Sequence, residues 1–170
     1  MASKSSRACF RYGQPQWERI QVIIESYNEM KIYLDTNILY FLIQERDEIS
    51  TDVLSELTDY SNTLYTSTVC AQELIHLCQT GKIRIGKKCD VIQQPSDVFS
   101  LLEQMDVKLV PITEKHLQAF ATLSLWKEHP DPNDRLIISQ AISDRVCLVS
   151  SDHKFKHYEQ YGLNFLFNKR

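Results

Sequence analysis

The chain has 170 residues, 43% of them hydrophobic, with 19 Lys and Arg against 22 Asp and Glu and a formal net charge of −3. That length fits one ordinary domain with a real core, and the apolar fraction with only 4 Gly and 5 Pro excludes a disordered, collagen-like or low-complexity chain. The acidic balance alone points away from a nucleic-acid binder, which usually carries a basic surplus.

The longest apolar run, Ile38-Leu39-Tyr40-Phe41-Leu42-Ile43, falls far short of the ~20 residues that a membrane helix needs. No hydrophobic signal segment follows Arg7 and Arg11. The five cysteines (Cys9, Cys70, Cys78, Cys89 and Cys147) are odd in number and lack Cys-x-x-Cys spacing. They suit a reducing compartment, as small core residues. These features predict a cytoplasmic domain with neither a secretory signal nor a membrane span.

Residues 1–16 are rich in Ser, Lys and Arg without any period, which predicts disorder. Trp17, Ile20, Ile24 and Tyr27 stand at helical spacing, enough for one short helix over 17–29. Met30 directly precedes a strand, so residues 1–29 form either a dispensable N-terminal extension or a small helix docked on the domain that spans 30–170. From Met30 the pattern alternates. Ile32 to Leu34 reads as a strand and Asn37 to Gln44 as an apolar helix. Ile49, Val53, Leu57 and Tyr60 mark an amphipathic helix. Leu64 to Ser67 is a second strand, and Thr68 caps a helix through Cys78. Lys82, Arg84, Lys87 and Lys88 lie in a loop ending near Pro95, after which Ser96 caps a helix with Val98, Leu101, Leu102 and Met105 on one face. Val107 to Ile112 is a third strand, followed by a helix with Leu117, Phe120, Ala121 and Leu125. Asp131-Pro132 opens a helix to about Asp144, Val146 to Val149 is a fourth strand, and Leu163 to Phe167 a fifth. Strands alternating with helices predict a parallel sheet covered on both faces. In such a sheet, ligands bind beyond the carboxyl ends of the strands, where strand order reverses.

Four carboxylates stand at the edge of buried structure, where a lone charge is costly unless paired or metal-bound. Asp35 ends the first strand, Glu73 lies in an otherwise apolar helix, Asp134 opens a helix, and Asp152 follows the fourth strand. Each has a plain structural reading. Asp35 can cap the helix that follows and Asp152 the turn at His153-Lys154. Glu73 can pair with a basic residue, and Asp134 can complete a capping box with Asp131 and Pro132. Four independent structural roles would then all have to place acids along one sheet rim, which argues for a shared purpose.

The segments Ile32-Tyr33-Leu34-Asp35-Thr36-Asn37, Ser67-Thr68-Val69-Cys70-Ala71-Gln72-Glu73-Leu74, Asp131-Pro132-Asn133-Asp134-Arg135-Leu136-Ile137-Ile138-Ser139-Gln140-Ala141 and Leu148-Val149-Ser150-Ser151-Asp152 together resemble a PIN domain. They resemble most the VapC-type ribonuclease toxins of bacterial and archaeal toxin–antitoxin systems. The resemblance runs from about Met30 to Phe167. It departs in the extension before Met30 and in Ser150, where the family often has Thr. It implies a three-layer α/β/α sandwich with a parallel sheet in the order 3-2-1-4-5. It places Asp35, Glu73, Asp134 and Asp152 on acidic metal-binding positions and Asn37 and Ser150 on supporting polar ones. It also implies endonucleolytic cleavage of RNA to 5′-phosphate and 3′-hydroxyl ends, silencing by a cognate antitoxin, and a homodimer.

The chemistry agrees. Converging carboxylates repel one another and would protonate without a cation, and all-oxygen ligands favour Mg²⁺ or Mn²⁺. Such an ion acidifies a water for attack at phosphorus, so no Ser, Cys or His nucleophile is required. Lys82, Arg84, Lys87, Lys88, Lys154 and Lys156 are the candidates for RNA-backbone contact, although a solvated loop is the plainer reading of the 82–88 cluster. His129 and His153 flank two of the acids and read as surface histidines, and Arg135 reads as an ion-pair partner of Asp134. A phosphotransferase with Asp-x-Asp after its first strand is excluded by Asn37, and a receiver domain by the absence of an acid at the end of Val107 to Ile112. The remaining alternative is a PIN-like module that binds RNA or a partner without cutting.

Overall fold

The computed structural model describes residues 30–83 and 94–170. Five strands, β1 (Lys31–Leu34), β2 (Thr63–Ser67), β3 (Val107–Val110), β4 (Cys147–Ser150) and β5 (Phe165–Phe167), form one sheet in the order β3-β2-β1-β4-β5. Every neighbouring pair is parallel. β1 is central, with Leu34 beside Thr66 of β2 and Val149 of β4. The chain leaves β1 toward β2 on one side and later returns to place β4 on the other, so order reverses at the carboxyl end of β1. Around the sheet lie α1 (Thr36–Gln44), α2 (Thr51–Thr58), α3 (Thr68–Gln79), α4 (Val98–Gln104), α5 (Glu114–Thr122) and α6 (Pro132–Asp144), completing the three-layer α/β/α arrangement.

Ile32, Leu34, Ile38, Leu39, Leu74, Ile137, Ile138 and Leu148 are fully buried between sheet and helices. At about 1.5–3 kcal/mol for each such side chain, this apolar layer holds the rim in place. Cys70, Cys78 and Cys147 are buried in the same core; Cys9 and Cys89 lie outside the described residues. No helix among the described residues is long and apolar enough to cross a membrane.

The caps differ from the sequence reading in instructive ways. Ser67, not Thr68, caps α3, accepting from the Val69 amide at 3.2 Å, while the Thr68 hydroxyl accepts from the Ile112 amide at 3.3 Å. Ser96 is not a cap either. Gln94 and Asp97 bond reciprocally around a 3-10 turn at Pro95–Asp97 that leads into α4. Tyr60 falls beyond the end of α2 and is wholly exposed, and Leu117 and Leu125 face solvent, whereas His116 is the buried residue of α5. The expected turn at His153-Lys154 is a 3-10 helix over His153–Tyr161 that buries Phe155 and Tyr158. The proposed extension, residues 1–29, lies outside the described residues.

Candidate active site

Four elements deliver one acid each to the rim where strand order reverses. Asp35 leaves β1 and begins α1, Glu73 projects from the middle of α3, Asp134 stands in the first turn of α6, and Asp152 follows β4. Asp35, Glu73, Asp134 and Asp152 line a single cavity of about 600 Å³, with Thr36, Asn37, Tyr40, Phe41, Leu77, Lys82 and Phe155 completing its wall. All four acids and Asn37 are thus brought together as the sequence predicts.

Each carboxylate is held in a different way. Asp35 is only 4% exposed. Its Oδ1 accepts from the Thr36 amide at 2.7 Å, and its Oδ2 accepts from Asn37 Nδ2 and Ser150 Oγ, both at 2.6 Å. The capping role and the site role of Asp35 therefore coexist. Asn37 Nδ2 also donates to Ser150 Oγ at 3.0 Å, and that oxygen accepts from the Asp152 amide at 3.0 Å. The Ser151 amide in turn donates to Asn37 Oδ1 at 3.1 Å. Asn37 and Ser150 thus tie the ends of β1 and β4 together and hold Asp35.

Glu73 has no basic partner among the described residues. Its Oε2 accepts from Thr36 Oγ1 at 2.5 Å and its Oε1 from Asn133 Nδ2 at 2.9 Å. Asp131, rather than Asp134, serves the start of α6, accepting from the Asn133 amide at 2.8 Å. Asp134 is left to face the cavity, and Asp152 accepts from the Lys154 amide at 2.9 Å.

Two sequence readings are corrected here. His129 is not a surface residue. It is 3% exposed, with Nδ1 3.1 Å from the Tyr158 hydroxyl, and Nε2 3.0 Å from Asp134 Oδ2 and 3.7 Å from Asp152 Oδ2. Donor atoms of His129, Asp134 and Asp152 lie within 4.8 Å of one another. His153, by contrast, has an 82% exposed side chain, as expected. Arg135 does not pair with Asp134. Its Nη2 donates to the Leu123 carbonyl at 2.8 Å, and its guanidinium lies 4.6 Å from the centroid of the Phe120 ring. The helix turns the neighbouring side chain away from the rim, so adjacency in sequence carries no pairing.

The electrostatics follow from burial and crowding. Burial, with the nearby charges of Asp134 and Glu73, pushes the Asp35 carboxyl up to about 7, against the lowering effect of the Ser150 and Thr36 hydrogen bonds. Burial, then the charges of Asp131, Glu73 and Asp152, pushes Asp134 to about 7 as well. Burial holds His129 below its ordinary value despite the acids beside it. No Lys or Arg among the described residues forms an ion pair with any of the four acids. A crowded set of carboxylates with no Lys or Arg ion-pair partner among the described residues fits a hard divalent cation.

Of the basic candidates, Lys82 lines the cavity. Lys154 is half-buried and near enough to lower Asp134 and His129 electrostatically, while Lys156 is exposed. Arg84, Lys87 and Lys88 lie outside the described residues.

Fold and site together define an α/β domain with an acidic pocket at the switch point of its parallel sheet. The family model described as PIN domain matches residues 32–160, which include all four acids, and the chain belongs to that family. Among solved structures, it is similar to VapBC2 from Rickettsia felis bound to a DNA fragment from the promoter (22% identity, TM-score 0.58, covering 82% of this chain and 100% of that one). It is also similar to VapBC-1 from nontypeable Haemophilus influenzae (19%, 0.56, covering 81% and 98%). DNA-bound VapBC from Salmonella typhimurium is a further match (18%, 0.56, covering 81% and 98%). These likenesses are likenesses of fold. No curated protein matches the sequence.

Proposed function

We propose that this protein is a divalent-cation-dependent endoribonuclease of the VapC type, the toxin of a type II toxin–antitoxin pair. The observation that carries the reading is the convergence of Asp35, Glu73, Asp134 and Asp152 from four separate elements onto one cavity, with no Lys or Arg among the described residues in an ion pair with any of them. The antitoxin rests on the likeness to VapBC complexes, the cytoplasmic setting on the cysteine pattern, and a homodimer on the family resemblance.

Mg²⁺ or Mn²⁺, when bound, supplies charge neutralisation at a scissile phosphate and an acidified water. The chain's own residues do the rest. Asp35, fixed at both oxygens, is the rigid member of the cation-holding set. Glu73 is tied by Thr36 to α1 and by Asn133 to α6, so three elements keep one spacing. Asp134 and Asp152 face the cavity from the β4 side and hold cation or attacking water. Lys82 at the wall, with Lys154 beside Asp134, gives the phosphate backbone its positive contacts, a role extended to Lys156, Arg84, Lys87 and Lys88. Tyr40 and Phe41 offer the apolar wall on which a base can lie.

The test is cleavage of a 5′-labelled single-stranded RNA by purified protein. Cleavage to 3′-hydroxyl products with Mg²⁺ or Mn²⁺, abolished by excess chelator, supports the reading. Undiminished cleavage in chelator contradicts it, and wild-type protein that binds RNA without cutting under any divalent cation supports the non-cleaving module instead.

A further inference from the structure

Asp134 differs from the other acids in how it is anchored. Asp35 is gripped by two side chains and a backbone amide, Glu73 by two side chains, and Asp152 by the Lys154 amide. Asp134 takes its hydrogen bond from a ring, His129 Nε2 at 3.0 Å, and its Oδ1 takes no side-chain hydrogen bond among the described residues. His129 is itself held behind, with Nδ1 3.1 Å from the hydroxyl of Tyr158, a residue that is 0% exposed. Phe155 meets the imidazole edge to face, with centroids 5.4 Å apart, and Tyr158 at 5.6 Å.

The donor and acceptor inventory fixes the direction of this chain. An ionised carboxylate, the form that holds a cation, only accepts, so Nε2 then carries the hydrogen that points at Asp134 Oδ2. With that tautomer Nδ1 presents a lone pair, and the Tyr158 hydroxyl must donate to it. The opposite tautomer would set two lone pairs against each other at 3.0 Å and leave no donor for Asp134. Burial of the ring and of Tyr158 removes water as a substitute partner for the imidazole nitrogens.

We propose that Tyr158 and His129 form a positioning relay, Tyr158 O–H to His129 Nδ1 and His129 Nε2–H to Asp134 Oδ2, which fixes the ring and thereby orients Asp134 for the divalent cation. This rests on the nuclease reading and deepens it. His129 and Tyr158 are positioning residues that act through Asp134. The relay occupies one oxygen and leaves the other for the cation, the arrangement by which outer hydrogen bonds tune a metal ligand. The 3-10 helix over His153–Tyr161 also acquires a purpose, because it places Phe155 and Tyr158 around the imidazole.

Three variants separate positioning from mere packing, read out by calorimetric titration of the metal-free protein with Mn²⁺ and by thermal melting. His129→Phe keeps an aromatic ring but removes the donor, and should weaken Mn²⁺ binding by roughly 10–100-fold, the cost of losing an outer-shell partner. His129→Gln restores an N–H donor and should recover part of that loss. The double variant His129→Phe with Tyr158→Phe removes both polar ends together. No buried hydroxyl is then left unpaired, so the melting temperature stays near that of the wild type while Mn²⁺ binding remains weak.

Nitrogen-15 spectra of the wild-type imidazole at pH 8.5, where Asp134 is ionised, should show the Nε2–H tautomer without any metal. Wild-type protein that binds Mn²⁺ while the double variant binds it as tightly overturns the relay and leaves the nuclease reading standing. Loss of Mn²⁺ binding only in step with loss of melting temperature, or an Nδ1–H tautomer, also overturns the relay. Wild-type protein that binds no Mn²⁺ overturns both.

Discussion

The two ends of α6 carry the same three residue types in opposite electrostatic circumstances. At its start, Asp134 meets His129, which meets Tyr158. At its end, Asp144 accepts from the Tyr33 hydroxyl at 2.8 Å, lies 3.1 Å from His116 Nε2, and is 3.7 Å from Lys115 Nζ. Burial works to raise Asp144, yet the Tyr33 and His116 hydrogen bonds and the charges of His116 and Lys115 outweigh it and leave the carboxyl below its usual range. Asp134 is pushed up to about 7. The helix dipole favours the opposite order, since a negative charge is stabilised at the amino end and destabilised at the carboxyl end. A dipole effect of about 0.3–1 kcal/mol is less than one pKa unit, about 1.36 kcal/mol, so the neighbouring side chains decide the outcome. Asp144 is a finished ion site that joins α5, α6 and β1. Asp134 is unfinished, its neighbours mostly acids, and needs a cation from outside.

The largest expected effect is on catalysis. Asp35→Asn keeps the shape of the rim and removes one charge, and should lower RNA cleavage by at least about 100-fold, the scale of losing one preorganised group at developing charge. It should leave the melting temperature in chelator unchanged or higher, because one buried repulsion is gone. Asp144→Asn should do the reverse, keeping cleavage and losing about 1–3 kcal/mol of stability in urea titration, as a charged acceptor is taken from two buried donors. Asp144→Asn that abolished cleavage with no loss of stability would erase the distinction between the two ends.

Cation dependence of stability sharpens the comparison. Asp35 and Asp134 have folded values of about 7, raised from the ordinary 3.8 of an aspartate. Their contribution to stability is therefore fully present below about pH 3.8 and is lost as pH rises through about 7 in the absence of metal. Asp144, with a lowered folded value, contributes in the other direction, losing its stabilisation as pH falls through that value. Mn²⁺ at about 100 times its dissociation constant should add roughly 2.7 kcal/mol at pH 8, and much less at pH 5, where protons compete. Melting curves at the two pH values, with and without Mn²⁺, check this; equal stabilisation at both would contradict it. The smallest effect is for Tyr33→Phe, which removes one donor from Asp144 and should cost about 1 kcal/mol with cleavage intact.

The alternation of strands and helices and the rim positions of the four acids were legible because they rest on local signals, whereas the sheet order came only with the family resemblance. Apolar runs of strand length end at Asp35 and Asp152, and Asp131-Pro132 announces a helix start. Burial of polar residues away from those signals was not legible, because it depends on which elements meet. His129 looks like a loop histidine in Glu128-His129-Pro130 until Tyr158 and Phe155 close over it from 29 and 26 residues downstream. A cue was present in Phe155 and Tyr158, three apart in an otherwise polar stretch, which marks a buried edge near Asp152. Arg135 misled for the opposite reason, since its neighbour in sequence is not its neighbour in space. The caps misled by one residue, where Ser67 and Thr68 offer the same chemistry and only backbone geometry chooses between them.

The central claim is that crowded acids at the sheet rim are held partly protonated until a divalent cation replaces the protons. Titrating metal-free protein with Mn²⁺ at pH 6 in two buffers of different ionisation enthalpy measures this directly. The account predicts release of about one to two protons per cation bound at pH 6, falling toward zero at pH 8.5, and loss of binding in Asp35→Asn. Tight Mn²⁺ binding at pH 6 with no proton release would contradict it.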